Sequence, residues 1–386
     1  MTLQTDSKTP PRLALGAGYP DDPFWQQYAA LWKNSLHRSP FKAPHLLQYF
    51  ARLSGDKVRT FRFVKDGQLK AAVLLKLSKG NLRFLSDHKT DANFFVFDRR
   101  CSQADWREFF QLLLQTIRSK NWSLTLNHQP HWADYMETFY QVGKESGLYW
   151  QNIPYSVCPI LEKESPKALF DEINGSRELR YRVNRLKNQD QAEFEVLADD
   201  SDLDRWVEEF CDSHVLRWAG TPTPSGYKPR ASRNFLKECL RAWHEDGLLL
   251  RFAVKVAGNR IGFVVGLREE NSLIHHSTTF HPDFKKQSPG KALILFMAEW
   301  MSKNGYSTLD FGDGNESYKY TVAKVEHQVN RIFAAPKYHL AFIIRTQVIK
   351  SVKGQSAVYN LYQNKIKPAF RNIKRQLADF TILSLS

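Results

Sequence analysis

Between residues 248 and 311 the sequence leaves little choice of fold. Segments 248–256 and 260–268 alternate as strands do around the turn Ala257-Gly258-Asn259, and 272–280 supplies a third strand. A Gly-containing loop then leads into an amphipathic helix over 291–304 and a short strand over 308–311. Strands joined by tight turns run antiparallel, whereas a strand reached through a helix returns parallel to a neighbour. The stretch predicts a mixed, mostly antiparallel sheet with helices on it.

The preceding residues repeat that order in coarse form. Phe24, Tyr28, Leu31 and Trp32 mark a helix, strands are expected over 58–64 and 69–77 around Lys65-Asp66-Gly67, and more over 82–85 and 94–97. A helix over 106–118 and a strand over 123–126 follow. The second unit opens with a strand over 156–161, one Arg-rich helix over 166–187, helices over 203–218 and 231–246, and a Gly/Pro/Thr/Ser loop over 220–226. At 386 residues the chain is about twice what one core usually organises. The expected fold is α+β: a flexible arm over 1–18, a unit over 19–155, a second unit over 156–340 and a basic amphipathic helical tail over 341–386.

Charge narrows the function classes. The net formal charge is +15, of which residues 1–150 hold +8, residues 151–335 hold −1 and residues 336–386 hold +8. The middle of the chain is therefore no simple polyanion binder. No stretch approaches a membrane span, and the N-terminal residues lack the order of a secretory signal. The four cysteines are scattered without a CxxC pair, so neither a metal site nor a disulfide framework is expected, and a cytoplasmic location follows.

Two segments carry chemistry. Gln287-x-x-Gly290-x-Ala292 stands at a helix N-terminus, where backbone N–H groups and the helix dipole favour phosphate. It resembles the pyrophosphate loop of the GNAT acyltransferases. The second segment, Leu309-Asp310-Phe311-Gly312-Asp313-Gly314-Asn315-Glu316-Ser317-Tyr318-Lys319, with Ser288-Pro289-Gly290 before the helix and His214-x-x-Arg217-Trp218, resembles the FemAB-like branch of that superfamily, including its cellulose-biosynthesis CelD-type members. Ser86-Asp87 to Asp91 resembles a short acidic turn of its first, degenerate domain.

The resemblance implies tandem GNAT-like domains, the second catalytic, and transfer of an acyl group from acetyl-CoA or a longer acyl-CoA to an amine, without a metal. Gln287, Ser288, Gly290, Lys291 and Ala292 would hold the donor's pyrophosphate, although Pro289 has no N–H to give. Backbone at Ser277 to Thr279, with Thr278 and Thr279 foremost, would polarise the thioester carbonyl. Glu316, Asp310 and His276 are alternative bases. Tyr318 is the candidate acid, and Lys319 would neutralise a phosphate or a developing negative charge. His214, Arg217 and Trp218 share a helix face and, with Asp91, would border the acceptor.

The acceptor expected is a small-molecule, sugar or lipid amine, or an envelope precursor. Nucleic acid is not expected, except that a FemAB-type reading would make aminoacyl-tRNA the donor; a non-catalytic scaffold in polysaccharide assembly is the other alternative. After Pro336 a last strand is expected over 338–344. Apolar residues from Val358 to Phe380 then recur at helical spacing among basic ones, which suits packing on the core with weak contact to an anionic inner-membrane surface.

Overall fold

The computed structural model describes residues 12–354. The first half contains β1 (Arg12–Ala17), α1 (Asp22–Lys33), α2 (Pro44–Ser54), β2 (Val58–Lys65), β3 (Gln68–Ser78), β4 (Asn81–Phe84), β5 (Val96–Phe97), α3 (Gln103–Ser119), β6 (Ser123–Pro130) and α4 (Met136–Glu145). A long strand, β7 (Tyr149–Glu162), leads into α5 (Pro166–Asn174), α6 (Arg177–Gln189), β8 (Glu193–Leu197), α7 (Leu203–Arg217) and α8 (Arg230–Glu245). Then come β9 (Leu249–Val256), β10 (Asn259–Glu269), β11 (Ser272–Phe280), α9 (Pro289–Asn304), β12 (Thr308–Asp310), β13 (Val325–Ala335) and α10 (Leu340–Gly354).

All strands join one mixed sheet in the order β1-β2-β3-β4-β6-β13-β7-β12-β11-β10-β9-β8, with β5 beside β3. Each half contributes an antiparallel meander and one parallel step, β4 with β6 and β11 with β12. At the seam the halves exchange strands. β7 leaves the first half to pair with β12, and β13 leaves the second to pair with β6. β7 and β13 also pair with each other, from Val325 opposite Ile160 to Ala335 opposite Tyr149. The expected division between residues 155 and 156 falls inside β7.

Period-two alternation divides the core. In β3, Ala72 and Leu74 face α1 and α2, whereas Ala71, Val73 and Leu75 face α3 and α4. Phe263, Val265 and Leu267 of β10 join the first of these clusters through α7 and α8, so one apolar core spans both halves. A third core forms where α5, α6 and α9 cover β9–β12.

Three expectations require correction. Residues 12–17 of the expected arm are strand β1, paired with β2 from Arg12 opposite Val64. The single helix over 166–187 is two, broken at Gly175-Ser176, where the Ser176 hydroxyl accepts the Leu179 N–H. The strand over 338–344 lies largely in helix α10, and the true last strand, β13, is polar enough to escape pattern reading. Two of its polar side chains find acceptors nearby: Asn330 donates to the Tyr140 hydroxyl of α4 at 2.9 Å and Gln328 to the Ser156 carbonyl of β7 at 2.7 Å. The apolar spacing from Val358 to Phe380 lies outside the described residues.

Candidate functional site

The site begins at a local irregularity. β11 pairs with β10 through Phe280, but the register slips at Val265/Gly266, leaving His276 as the extra, bulged residue. On its other edge β11 pairs with β12 only from Ser272 to Ile274. Beyond that point the strands part, so backbone groups of residues 275–280 that point away from β10 have no strand partner.

The bulge turns two adjacent histidines to different surroundings. His275 is buried against Phe311 and Tyr318, its Nδ1 lacks a partner, and burial pushes its pKa down to about 4. His276 instead lies between Phe41 and Trp243, and its Nδ1 stands 2.9 Å from Asp91 Oδ2. With Nδ1–H donating to that carboxylate, Nε2 is the basic nitrogen.

Asp91 comes from the first half and reaches across the seam. Its second oxygen accepts the Asp313 N–H at 3.1 Å. Gly312, at φ +63°, lets the carboxylate approach, since a Cβ there would stand 2.7 Å from Asp91 Oδ2. Asp91 was expected to border the acceptor; its contacts make it a holder of His276 and of the Gly-rich turn.

That turn is organised from within. Asp310 Oδ1 accepts the Gly312 N–H at 2.7 Å, and burial, helped by the Asp91 charge, pushes the Asp310 pKa up to about 7. Lys319 is 2% exposed. Its ammonium donates to the carbonyls of Gly312, Asp313 and Gly314 at 3.2, 2.7 and 3.1 Å. Glu316 pairs with it at 3.0 Å but is largely exposed. Two expectations change here. Lys319 is committed to the turn instead of being offered to a phosphate, and Glu316 sits at the surface in an ion pair with it. Tyr318 is largely buried, which raises its pKa well above the usual phenol value and keeps its proton on.

His276 also lines a cavity of about 750 Å³ between the halves. Asp87, His88 and Lys89 come from the first half, while His214, Tyr227, Phe235 and Trp243 come from α7, α8 and the loop between them. The expected helix face at 214–218 divides. His214 reaches the cavity, held by Ser225 at 2.8 Å, and burial lowers its pKa to about 4. Arg217 lies 4.1 Å over the Phe280 ring, and Trp218 stacks on His214; neither lines the cavity. Lys89, which donates to the Tyr227 hydroxyl, and Trp243 were not singled out in the sequence. The only local signal was the Gly/Pro-rich loop over 220–226.

The candidate donor loop is close to β11. Thr278 Oγ1 lies 4.0 Å from the position of a Gly290 Cβ, and Gly262 leaves room for Pro289. Thr279 is fully buried. Ser288 caps α9 in the left-handed region, at φ 55°. The N–H groups of Gln287, Ser288, Lys291 and Ala292 close local turns, so within 287–292 Gly290 alone keeps an N–H without an acceptor. The cradle is thinner than expected. Basic groups of α6 supplement it: Arg182 and Arg185 donate to the Lys286 carbonyl at 3.1 and 3.4 Å, and Arg182 Nε is buried without a partner. The Lys291 ammonium is engaged by Glu178 at 2.6 Å. Among the described residues no three His, Cys, Asp or Glu side chains converge as a metal site would require.

Residues 174–320 match the family model described as an acetyltransferase (GNAT) domain. No curated protein matches the chain. Among solved structures, L-PGS from Bacillus licheniformis is 12% identical with a TM-score of 0.57, the likeness covering 88% of this chain and 99% of that one. FemX is also 12% identical, with a TM-score of 0.57 over 83% of this chain and 98% of that chain. At such identity these likenesses establish a shared fold, and the domain match is confined to residues 174–320. Residues 174–320 thus carry a match to a GNAT acetyltransferase domain, within a chain that shares its fold with L-PGS and FemX.

Proposed function

We propose that the protein is an N-acyltransferase that moves an acyl group from acyl-CoA to an amine of a sugar, lipid or envelope precursor. The observation that carries this reading is the Asp91–His276 pair, placed on the wall of a cavity between the halves and on the same strand as Thr278 beside the donor loop. The residues present fit the donor: the free Gly290 N–H at the start of α9 with Arg182 and Arg185 meets a phosphate group. When bound, the thioester supplies the acyl group.

His276 Nε2 takes a proton from the acceptor ammonium, and Asp91 stabilises the resulting imidazolium and holds its orientation. Unpaired N–H groups of β11 beyond Ile274 polarise the acyl carbonyl. The freed amine forms the C–N bond at the acyl carbonyl as the C–S bond breaks; Tyr318, kept protonated by burial, gives its proton to the leaving thiolate and regains one from the new amide nitrogen. Asp310 and Lys319 keep the turn that supports Asp91.

A second reading has one observation in its favour. The cradle offers few free N–H groups, and an aminoacyl-tRNA donor, as the FemAB-like resemblance implies, would not need a full pyrophosphate loop. Thermal-shift titrations with acetyl-CoA, longer acyl-CoAs and aminoacyl-tRNA separate the two. Stabilisation by a CoA thioester is expected; stabilisation by aminoacyl-tRNA alone would replace the donor, and no response to any thioester would overturn the leading reading.

A further inference from the structure

One helix sets the long axis of the cavity between the halves. Ala231, Phe235, Cys239 and Trp243 recur at four-residue steps on α8 and all line it, so they form one stripe about 18 Å from end to end. Ala231 is exposed at the outer end. Trp243 is buried at the inner end, with its ring 5.2 Å from that of His276. Leu236 widens the stripe, and Ser232 brings the one hydroxyl that α8 contributes. Burial raises the Cys239 thiol well above its usual pKa, so it is a neutral, apolar part of the wall.

The opposite wall carries the charges, and these are engaged within the protein. Lys89 donates to the Tyr227 hydroxyl and lies 4.1 Å from the centre of that ring, Asp87 accepts from the Thr90 hydroxyl at 2.9 Å, and His214 is held by Ser225. The donor loop lies across the strand from all of this. Thr278 pairs opposite Val264, which packs in the core under α9, whereas His276 faces α8 through Trp243. A donor held at Gly290 therefore meets β11 from the α9 side, and the α8 side is left for the acceptor.

We infer that the acceptor is an amine carried on an extended apolar chain, with its nitrogen at His276 and its chain along the α8 stripe toward Pro222 and Pro224. This rests on the acyl-transfer reading and narrows it. A sugar amine laid along the same path would bring several hydroxyls against Phe235, Leu236 and Cys239 and leave them without partners. A chain amine brings one polar group, and that group meets the basic nitrogen. Cys239, midway along the stripe, sets how much chain is accepted.

Isothermal titration of the full chain with n-decylamine, n-butylamine and glucosamine, without donor, tests the ligand class. The wild type is compared with Cys239→Phe and the milder Cys239→Met, each first checked for an unchanged thermal midpoint. The wild type should bind decylamine about tenfold or more tightly than the other two amines, and Cys239→Phe should bind decylamine about tenfold more weakly. Cys239→Met should weaken it about threefold and serves where the larger ring prevents folding. Absence of decylamine binding overturns the inference, as does equal binding of glucosamine or wild-type affinity in every folded variant. So does a loss confined to decanoyl-CoA, which would give the cavity to the donor's chain. Thiol release from acetyl-CoA with the same amines is read separately: binding without release would refute acyl transfer while upholding the ligand assigned to the cavity.

Discussion

Asp91 and His276 are 185 positions apart in the chain, yet the carboxylate of one lies 2.9 Å from the ring nitrogen of the other. The contact exists because the halves share one sheet and a common apolar core, which brings the loop after β4 to the bulge in β11. The same carboxylate holds the Asp313 N–H, so the pair and the Gly-rich turn form one unit.

If His276 is the base, His276→Ala should lower turnover about a hundredfold or more. Asp91→Asn should lower it similarly, because an amide can donate to Nδ1 and so move the ring proton to Nε2. Thiol release from an acyl-CoA with an amine panel, followed against pH, is the assay. A wild-type pH profile in either variant assigns the pair to structure.

Lys319→Met should cost about 3 kcal/mol, since three carbonyls, one of them fully buried, lose a charged donor together. Urea unfolding measures it. A loss below about 0.5 kcal/mol would mean that solvent replaces the ammonium at no cost.

The donor loop offers a contrast between two glycines. A Cβ at Gly262 would stand 2.8 Å from Pro289 Cβ, whereas at Gly290 the nearest atom, Thr278 Oγ1, is 4.0 Å away. Gly262→Ala should therefore destabilise the fold by about 1–3 kcal/mol. Gly290→Asp should leave stability nearly unchanged and abolish the acyl-CoA thermal shift by setting a carboxylate where phosphate binds. Equal acyl-CoA shifts in the wild type and Gly290→Asp would remove the loop from the donor site.

Asp310 sets a pH dependence. Its folded pKa, about 7, lies above the unfolded value of 3.8, so the native state binds the extra proton between those limits. Its contribution to stability is full below pH about 4 and is lost as pH rises toward 7, with a slope of about 1.4 kcal/mol per pH unit. Asp310→Asn should remove that slope while an amide oxygen still accepts the Gly312 N–H. Unfolding free energies across that range in both proteins provide the comparison; parallel curves would place the titration elsewhere.

Much of the second half was legible because each local signal had a local cause. Alternation and tight turns specify β9, β10 and β11, and Pro-Gly after Ser288 starts α9. Strand β13 was not legible, because its polar side chains depend on partners distant in the sequence: Gln328 on Ser156 of β7, Arg331 on Asn127 of β6 and Asn330 on Tyr140 of α4. Residues 338–344 read as a strand from their β-branched and aromatic content. The adjoining sheet position is already filled by β13, and a helix laid across the sheet is what remains.

The site divides in the same way. The sequence by itself determined the segments of the candidate site, the loop at 287–292, the turn at 310–319 and the histidines at 275–276, because each depends on short-range backbone requirements. Only the tertiary structure decided what each group does. Strand exchange at the seam delivers Asp91 to His276, a one-residue bulge sends His275 inward and His276 to the cavity, and burial among three carbonyls turns Lys319 from a reagent into a strut. Those outcomes depend on contacts between residues far apart in the chain, and pattern along one segment carries no information about what will be packed against it.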